Sequence, residues 1–234
     1  MIKRKHSGTY NNVYQQLKDE ILHLELPPGT AIGEIETASR FETSRTPVRD
    51  AFKLLELEGL LEIKPHIGTF VSLIDLHTVS DILYTRATLE QAIFRELANS
   101  LNKSQEYRIC LILEKQKALL DSDLSTEELG RAFIVSDNEF HYSLYELAGK
   151  KNVVRFYNAI NSQYERFRTF INLGGREEMK VLYQEHEQIW NHIVNKNLDE
   201  LEKCLEHHLY NGFNSSMKTI NEYPGYFITP DATL

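Results

Sequence analysis

The stretch DNEFHYSLYELAG, residues 137–149, joins an apolar helical stripe to two residues that can bind a cation. Phe140, Leu144 and Leu147 mark the inward side, and Asp137 and His141 fall on that same side. A carboxylate and an imidazole at i, i+4 project together from one helix. Burying either without a partner is costly, so something has to satisfy them. Two more histidines interrupt apolar stripes: His186 among Leu182, Ile189 and Ile193, and His208 among Leu201, Leu205 and Leu209. Arg86 interrupts another, between Ile82 and Leu89. Asp137, His141, His186 and His208 form an N/O donor set without cysteine, suited to one divalent ion per chain, Zn²⁺ before Ni²⁺, Mn²⁺ or Fe²⁺. Four such ligands can close a tetrahedral site or leave positions open in a larger shell, and the spacing does not choose. Taken singly, each histidine also fits a hydrogen-bonded core residue. His207 adjoins His208, but the leucine stripe favours His208 as the inward one.

A second constellation lies near the N-terminus. In SRTPVRDAFKLLELEGL, residues 44–60, Val48, Ala51, Phe52 and Leu55 form a buried stripe. Arg45, Arg49 and Lys53 then share a row on the outer face, with Thr46 beside it. Arginines near the positive end of a helix dipole suit a phosphate-lined groove, and Arg can grip guanine O6 and N7 with two hydrogen bonds. The alternative is a solvated basic face.

These residues need elements to position them. Pro27, Pro28, Gly29, Gly33, Pro47, Gly59, Pro65 and Gly68 cut the first seventy residues into short pieces, whereas no proline occurs between Asp75 and Asn221. A helix ends at PPG. A short second helix follows, with Ile35, Ala38 and Phe41 expected inward, and then a third with Ser44 as N-cap. LLEIK and TFVS read as two strands around a tip running from His66 to Gly68. Helix, turn, helix and a two-stranded wing make a winged helix-turn-helix. Its tip could follow the backbone or the minor groove.

Beyond residue 75, six helical segments of period 3.6 are expected, at about 76–101, 104–121, 126–148, 150–172, 176–196 and 198–219. The fold class is therefore mainly α. It divides into a winged domain over 1–73, an all-helical bundle of about six helices over 76–222, and an irregular tail over 223–234. No apolar run reaches the roughly 20 residues of a membrane span. The basic start MIKRKHSGTY lacks the apolar core of a secretory signal. Cys110 and Cys204 sit in helical patterns and are expected to be buried free thiols in a reducing cytoplasm. A net charge of −8 argues against unselective coating of nucleic acid. Residues 1–75, with nine Lys/Arg against eleven Asp/Glu, are only mildly acidic, so any nucleic-acid surface there is a local patch.

The string PPGTAIGEIETASRFETSRTPVRDAFKLLELEGLLEIKPHIGTFV resembles the DNA-binding domain of the GntR family of bacterial transcription regulators, over nearly all of residues 9–73. That resemblance implies that Arg45, Thr46 and Arg49 read bases or phosphates, and that the wing tip at His66 and Gly68 enters the minor groove. Ile35 stands where the family often has Arg, which removes one phosphate contact. LYTRATLEQAI, DNEFHYSLYELAG and EHEQIWNHIVNKNLDELEKCLEHHL resemble the FadR-type (FCD) effector domain of that family, over about residues 76–219. This second resemblance implies a metal on Asp137, His141, His186 and His208, with Arg86 lining a pocket for a small carboxylate.

The expectation is a cytoplasmic, homodimeric transcription regulator, a repressor by default, that binds a palindromic double-stranded operator. It would answer to a small carboxylate effector and would have no membrane partner. Two alternatives remain. One is a metalloenzyme, disfavoured because no general base accompanies the donors: Glu139 points off the stripe and Glu185 merely adjoins His186. The other is a DNA-binding dimer whose metal is purely structural.

Overall fold

A computed structural model describes residues 4–171 and 175–228, and the chain divides into two compact units. Of the described residues, the first comprises 4–79 with 159–167 and 220–228, and the second 80–158 with 168–171 and 175–219.

In the first unit α1 (Arg4–Leu22) packs on α3 (Arg45–Leu57), with β1 (Ala31–Ile32) and α2 (Glu34–Arg40) between them in the chain. The i, i+4 spacing of Val13, Leu17 and Ile21 puts all three in one core with Ala38, Val48, Ala51, Phe52 and Leu55. β2 (Leu61–Lys64) and β3 (Gly68–Val71) pair antiparallel, and β1 adds to the free edge of β3, giving the order β1-β3-β2. The turn between β2 and β3 places His66 at φ 62, a left-handed conformation unusual for a side-chain-bearing residue. β4 (Ile74–Asp75) and β5 (Phe227–Ile228) form a separate parallel pair. Of the tail expected to be irregular, residues 223–228 thus include a short strand, and residues 229–234 lie outside the described residues.

Ile35 departs from expectation. It is 68 % exposed, because α2 turns Thr37 and Ala38 inward and leaves Ile35 in solvent.

The second unit is helical: α4 (Leu76–Ser100), α5 (Lys103–Leu120), α6 (Thr126–Leu147), α7 (Lys151–Ile160), α8 (Ser162–Ile171), α9 (Arg176–Asn195), α10 (Leu198–Ser215) and the short α11 (Met217–Glu222), with the ends of α4, α7, α8 and α11 assigned to the first unit. The segment expected over 150–172 is broken at Asn161, where the chain turns between α7 and α8; its last residue, 172, lies outside the described residues. Capping boxes start α5 (Asn102 with Gln105) and α6 (Ser125 with Glu128), satisfying amide groups that a helix start leaves orphaned. The main core joins Phe94, Leu97, Ile109, Ile112, Phe140, Leu144, Ile189, Trp190, Ile193 and Leu205. Cys110 is exposed, contrary to expectation, since α5 turns Ile109, Ile112 and Leu113 into this core, and Cys204 is only partly buried, packed against it.

The first residues of α8 belong to the first unit. Ser162 Oγ donates to Glu58 O (2.8 Å) and Gln163 Nε2 to Gly59 O (3.1 Å), so both satisfy carbonyls just past the end of α3. Arg166, fully buried, donates to Ser72 Oγ and Ser72 O behind the wing.

Candidate functional site

Donor atoms of Asp137, His141, His186 and His208 lie within 4.8 Å of one another, and all four residues are buried. α6 supplies the first two, one turn apart, and α9 and α10 supply the others. His192 is not part of this group, and His207 is exposed.

Each histidine turns Nδ1 away from the centre toward an acceptor. His141 Nδ1 lies 2.9 Å from Glu90 Oε2, His208 Nδ1 2.7 Å from Glu185 Oε2, and His186 Nδ1 2.9 Å from Gln116 Oε1. Gln116 is oriented in turn, because its amide donates to Ser136 O. A neutral imidazole facing a carboxylate carries its proton on Nδ1, so its Nε2 is left as a lone pair. His141 Nε2 and His208 Nε2 then face each other at 3.2 Å as two acceptors. His186 Nε2 lies 3.3 Å from Asp137 Oδ1, and Arg168 Nη2 lies 2.5 Å from Asp137 Oδ2. With its proton on Nδ1, His186 Nε2 has no hydrogen to give Asp137 Oδ1 and is a buried polar atom without a hydrogen bond, while Asp137 Oδ2 is held by the Arg168 ion pair. Converging lone pairs around a carboxylate, each backed by an outer hydrogen bond, are what a divalent cation requires. The donor chemistry fits the ion.

Burial drives His141 down to about 4 and His186 down to about 3, from an ordinary 6.5. Both are therefore neutral and ready to ligate near pH 7. Burial would raise the Asp137 carboxyl, but the Arg168 charge and the neighbouring His186 hold it well below the usual range. Burial also opposes ionisation of Glu90, yet Arg86 and His141 bring it to about 2. The unfolded chain takes up protons near 6.5 that the folded histidines accept only near 4 and 3. Their stabilisation is therefore complete above 6.5 and is lost as pH falls through that window. In chelator-treated protein the thermal midpoint is expected to drop between pH 6.5 and 4. A flat profile there would contradict the neutral buried pair.

Glu90, Gln116 and Arg168 carry no sequence expectation, and Glu185, expected only to adjoin His186, stands behind His208. Arg86 is buried, and its Nε donates to Glu90 Oε1 at 2.5 Å. The i, i+4 pair Arg86–Glu90 on an inward face was the readable signal for Glu90.

In the first unit Arg45, Thr46, Arg49 and Lys53 are all exposed along α3, and His66 and Gly68 are exposed at the wing tip. Arg45 and Arg49 both reach Glu34 on α2. Arg49 makes two bonds, Nε to Oε1 at 2.9 Å and Nη2 to Oε2 at 3.0 Å, and Arg45 Nη2 meets Oε2 at 2.9 Å. The Arg49 and Arg45 hydrogen bonds outweigh partial burial and bring the Glu34 carboxyl to about 2. Lys53 and the wing residues have no part in this cluster.

Comparison with known proteins follows the same division. Residues 9–71 match the model described as bacterial regulatory proteins, gntR family, and residues 81–211 match the FCD domain. An HTH-type transcriptional regulator in an unstable DNA locus of Streptomyces ambofaciens is 31 % identical over 227 residues, covering 95 % of this chain and 91 % of that one. The HTH-type transcriptional repressor RspR of Escherichia coli is 27 % identical over 197 residues, 84 % of each chain. Among solved structures, Escherichia coli McbR/YncC superposes with a TM-score of 0.69 at 17 % identity, covering 91 % of this chain and 99 % of that one, a likeness of fold.

Proposed function

The chain belongs to the GntR family of DNA-binding transcription regulators and carries an FCD domain, and from that premise we propose that it is a metal-dependent sensor of a small carboxylate. The family is one of regulators rather than enzymes. The observation behind the reading is the buried set Asp137, His141, His186 and His208, flanked by the guanidinium groups of Arg86 and Arg168. A divalent ion held there, Zn²⁺ first, would offer Lewis acidity to an anionic ligand. The chain's own residues do the rest: Glu90, Gln116 and Glu185 fix the imidazole tautomers, and Asp137 lowers the net charge of the site. Arg86 and Arg168 are paired with Glu90 and Asp137, so the positive charge that would favour a carboxylate over a neutral molecule comes from the ion itself.

In this reading residues 1–73 read DNA, residues 76–222 sense the effector and dimerise, and residues 223–234 form a tail. Arg45, Thr46, Arg49 and Lys53 meet the major groove, while His66 and Gly68 follow the backbone or minor groove at the wing. Two copies place two recognition helices on a palindromic operator, in the cytoplasm where the DNA lies, and effector binding shifts the balance between DNA-binding and released forms. Repression is the default direction, in keeping with the repressor RspR among the relatives. No described helix is long and apolar enough to cross a membrane.

A thermal-shift screen of small mono-, di- and hydroxycarboxylates, run on metal-loaded and on chelated protein, tests the sensor. A ligand at 100 times its Kd stabilises the native state by about 2.7 kcal/mol. The expected result is at least one acid that raises the midpoint only with metal present. If no acid shifts the loaded protein, the sensor reading fails.

A further inference from the structure

Two of the three cations on the outer row of α3 are not independent. Arg45 and Arg49 share one carboxylate, that of Glu34, which sits at the first position of α2. Their side chains stay more than half exposed, at 57 % and 54 %, while Glu34 is 24 % exposed beneath them. The geometry is specific at Arg49, where the carboxylate takes Nε–H and one Nη2–H side-on. A guanidinium has five N–H donors in a fixed fork. The Glu34 contact therefore leaves Arg49 its Nη1/Nη2 edge, two parallel donors that match guanine O6 and N7. Ile35, next in the chain and exposed, adds no charge.

We propose that Glu34 is a positioning residue for sequence selectivity: it holds Arg45 and Arg49 in a preset fork and cancels part of their charge toward phosphate. This rests on the reading of α3 as the recognition helix. One carboxylate has two effects here. Toward backbone phosphates the triad presents a net charge of one rather than two, so sequence-independent binding is weakened, that binding being electrostatic. Toward a base edge, Arg49 arrives with its rotamers already fixed, so less entropy is lost on forming a paired contact. One effect lowers affinity for any DNA and the other raises affinity for the right sequence. Both raise the ratio between them.

The test uses full-length protein, a duplex enriched by the wild type from a randomised pool, and a mixed-sequence duplex. Glu34→Gln keeps size and shape but loses the charge. It is expected to bind the mixed duplex more tightly, with the log–log salt slope steeper by about 1, since one more cation reaches phosphate. The ratio of enriched to mixed affinity is expected to fall by roughly tenfold, in the range set by one base contact. Glu34→Asp restores the charge and is expected to recover part of that ratio. A ratio within twofold of wild type in Glu34→Gln overturns the proposal. So does a parallel loss on both duplexes, because that signals damage to α2 rather than lost selectivity. A wild-type protein that enriches no sequence removes the recognition-helix reading itself, and that failure shows before any variant is made.

Discussion

Protein carrying Asp137→Ala and His186→Ala is expected to emerge from metal reconstitution with no bound ion, where the wild type holds about one per chain. Removing a carboxylate and an imidazole leaves two histidine donors on separate helices, which cannot hold a divalent ion against buffer and chelator. Elemental analysis reads the result directly. The single variants separate metal loss from collapse of the core. Asp137→Ala leaves Arg168 buried without its anion, a loss on the order of 3–5 kcal/mol for a broken buried pair. That variant should unfold at lower temperature even in chelator. His186→Ala removes a neutral ring, stacked on Phe140 at 4.4 Å between centroids, and leaves no charge behind. Its deficit in chelator should be the smaller of the two, and its deficit with metal the larger part of its effect. A wild type that retains no ion would show instead that the four residues form a hydrogen-bonded core.

Arg49→Ala is expected to weaken binding to an enriched operator by about 5- to 150-fold, the equivalent of roughly 1–3 kcal/mol for one bidentate contact. Two effects contribute. The base contact is lost, and Glu34 then faces the duplex with only Arg45 to neutralise it. Lys53→Ala lacks the second effect and is expected to weaken enriched and mixed duplexes alike, with a salt slope shallower by about 1. Competition binding at matched ionic strength distinguishes them. An Arg49→Ala protein that bound as tightly as wild type would remove α3 from the interface.

Some of this was legible in the chain and some was not. The stripe Phe140–Leu144–Leu147 places Asp137 and His141 inward because period 3.6 fixes which residues share a helix face, and the same rule prefers His208 to His207. The partners behind the imidazoles were not legible. Glu90 lies 51 residues from His141, Gln116 70 residues from His186 and Glu185 23 residues from His208, and local periodicity says nothing about which helices meet. Glu185 adjoins His186 in the chain, which hides that its place is behind His208. The break at Asn161 left no Pro or Gly in the sequence to mark it. Ile35 misled for another reason: a helix of seven residues has too few turns for its stripe to be assigned from pattern alone. Glu34 was hidden by its type, since a carboxylate at a helix start already has a reason to be there in the helix dipole.

The separation of the donors along the chain decides on which side of the folding equilibrium the ion acts. An ion bridging His141, His186 and His208 closes one loop of about 45 residues and another of about 22, as a pair of cross-links would. By the chain-entropy estimate, restricting loops of such length removes on the order of 3–4 kcal/mol each from the denatured ensemble when the link persists there. Imidazoles tied only by the native fold release the ion as they unfold, so the restraint acts on the native side alone. Metal affinity is then a measure of how tightly α6, α9 and α10 are drawn together, and anything that parts those three helices loosens the ion.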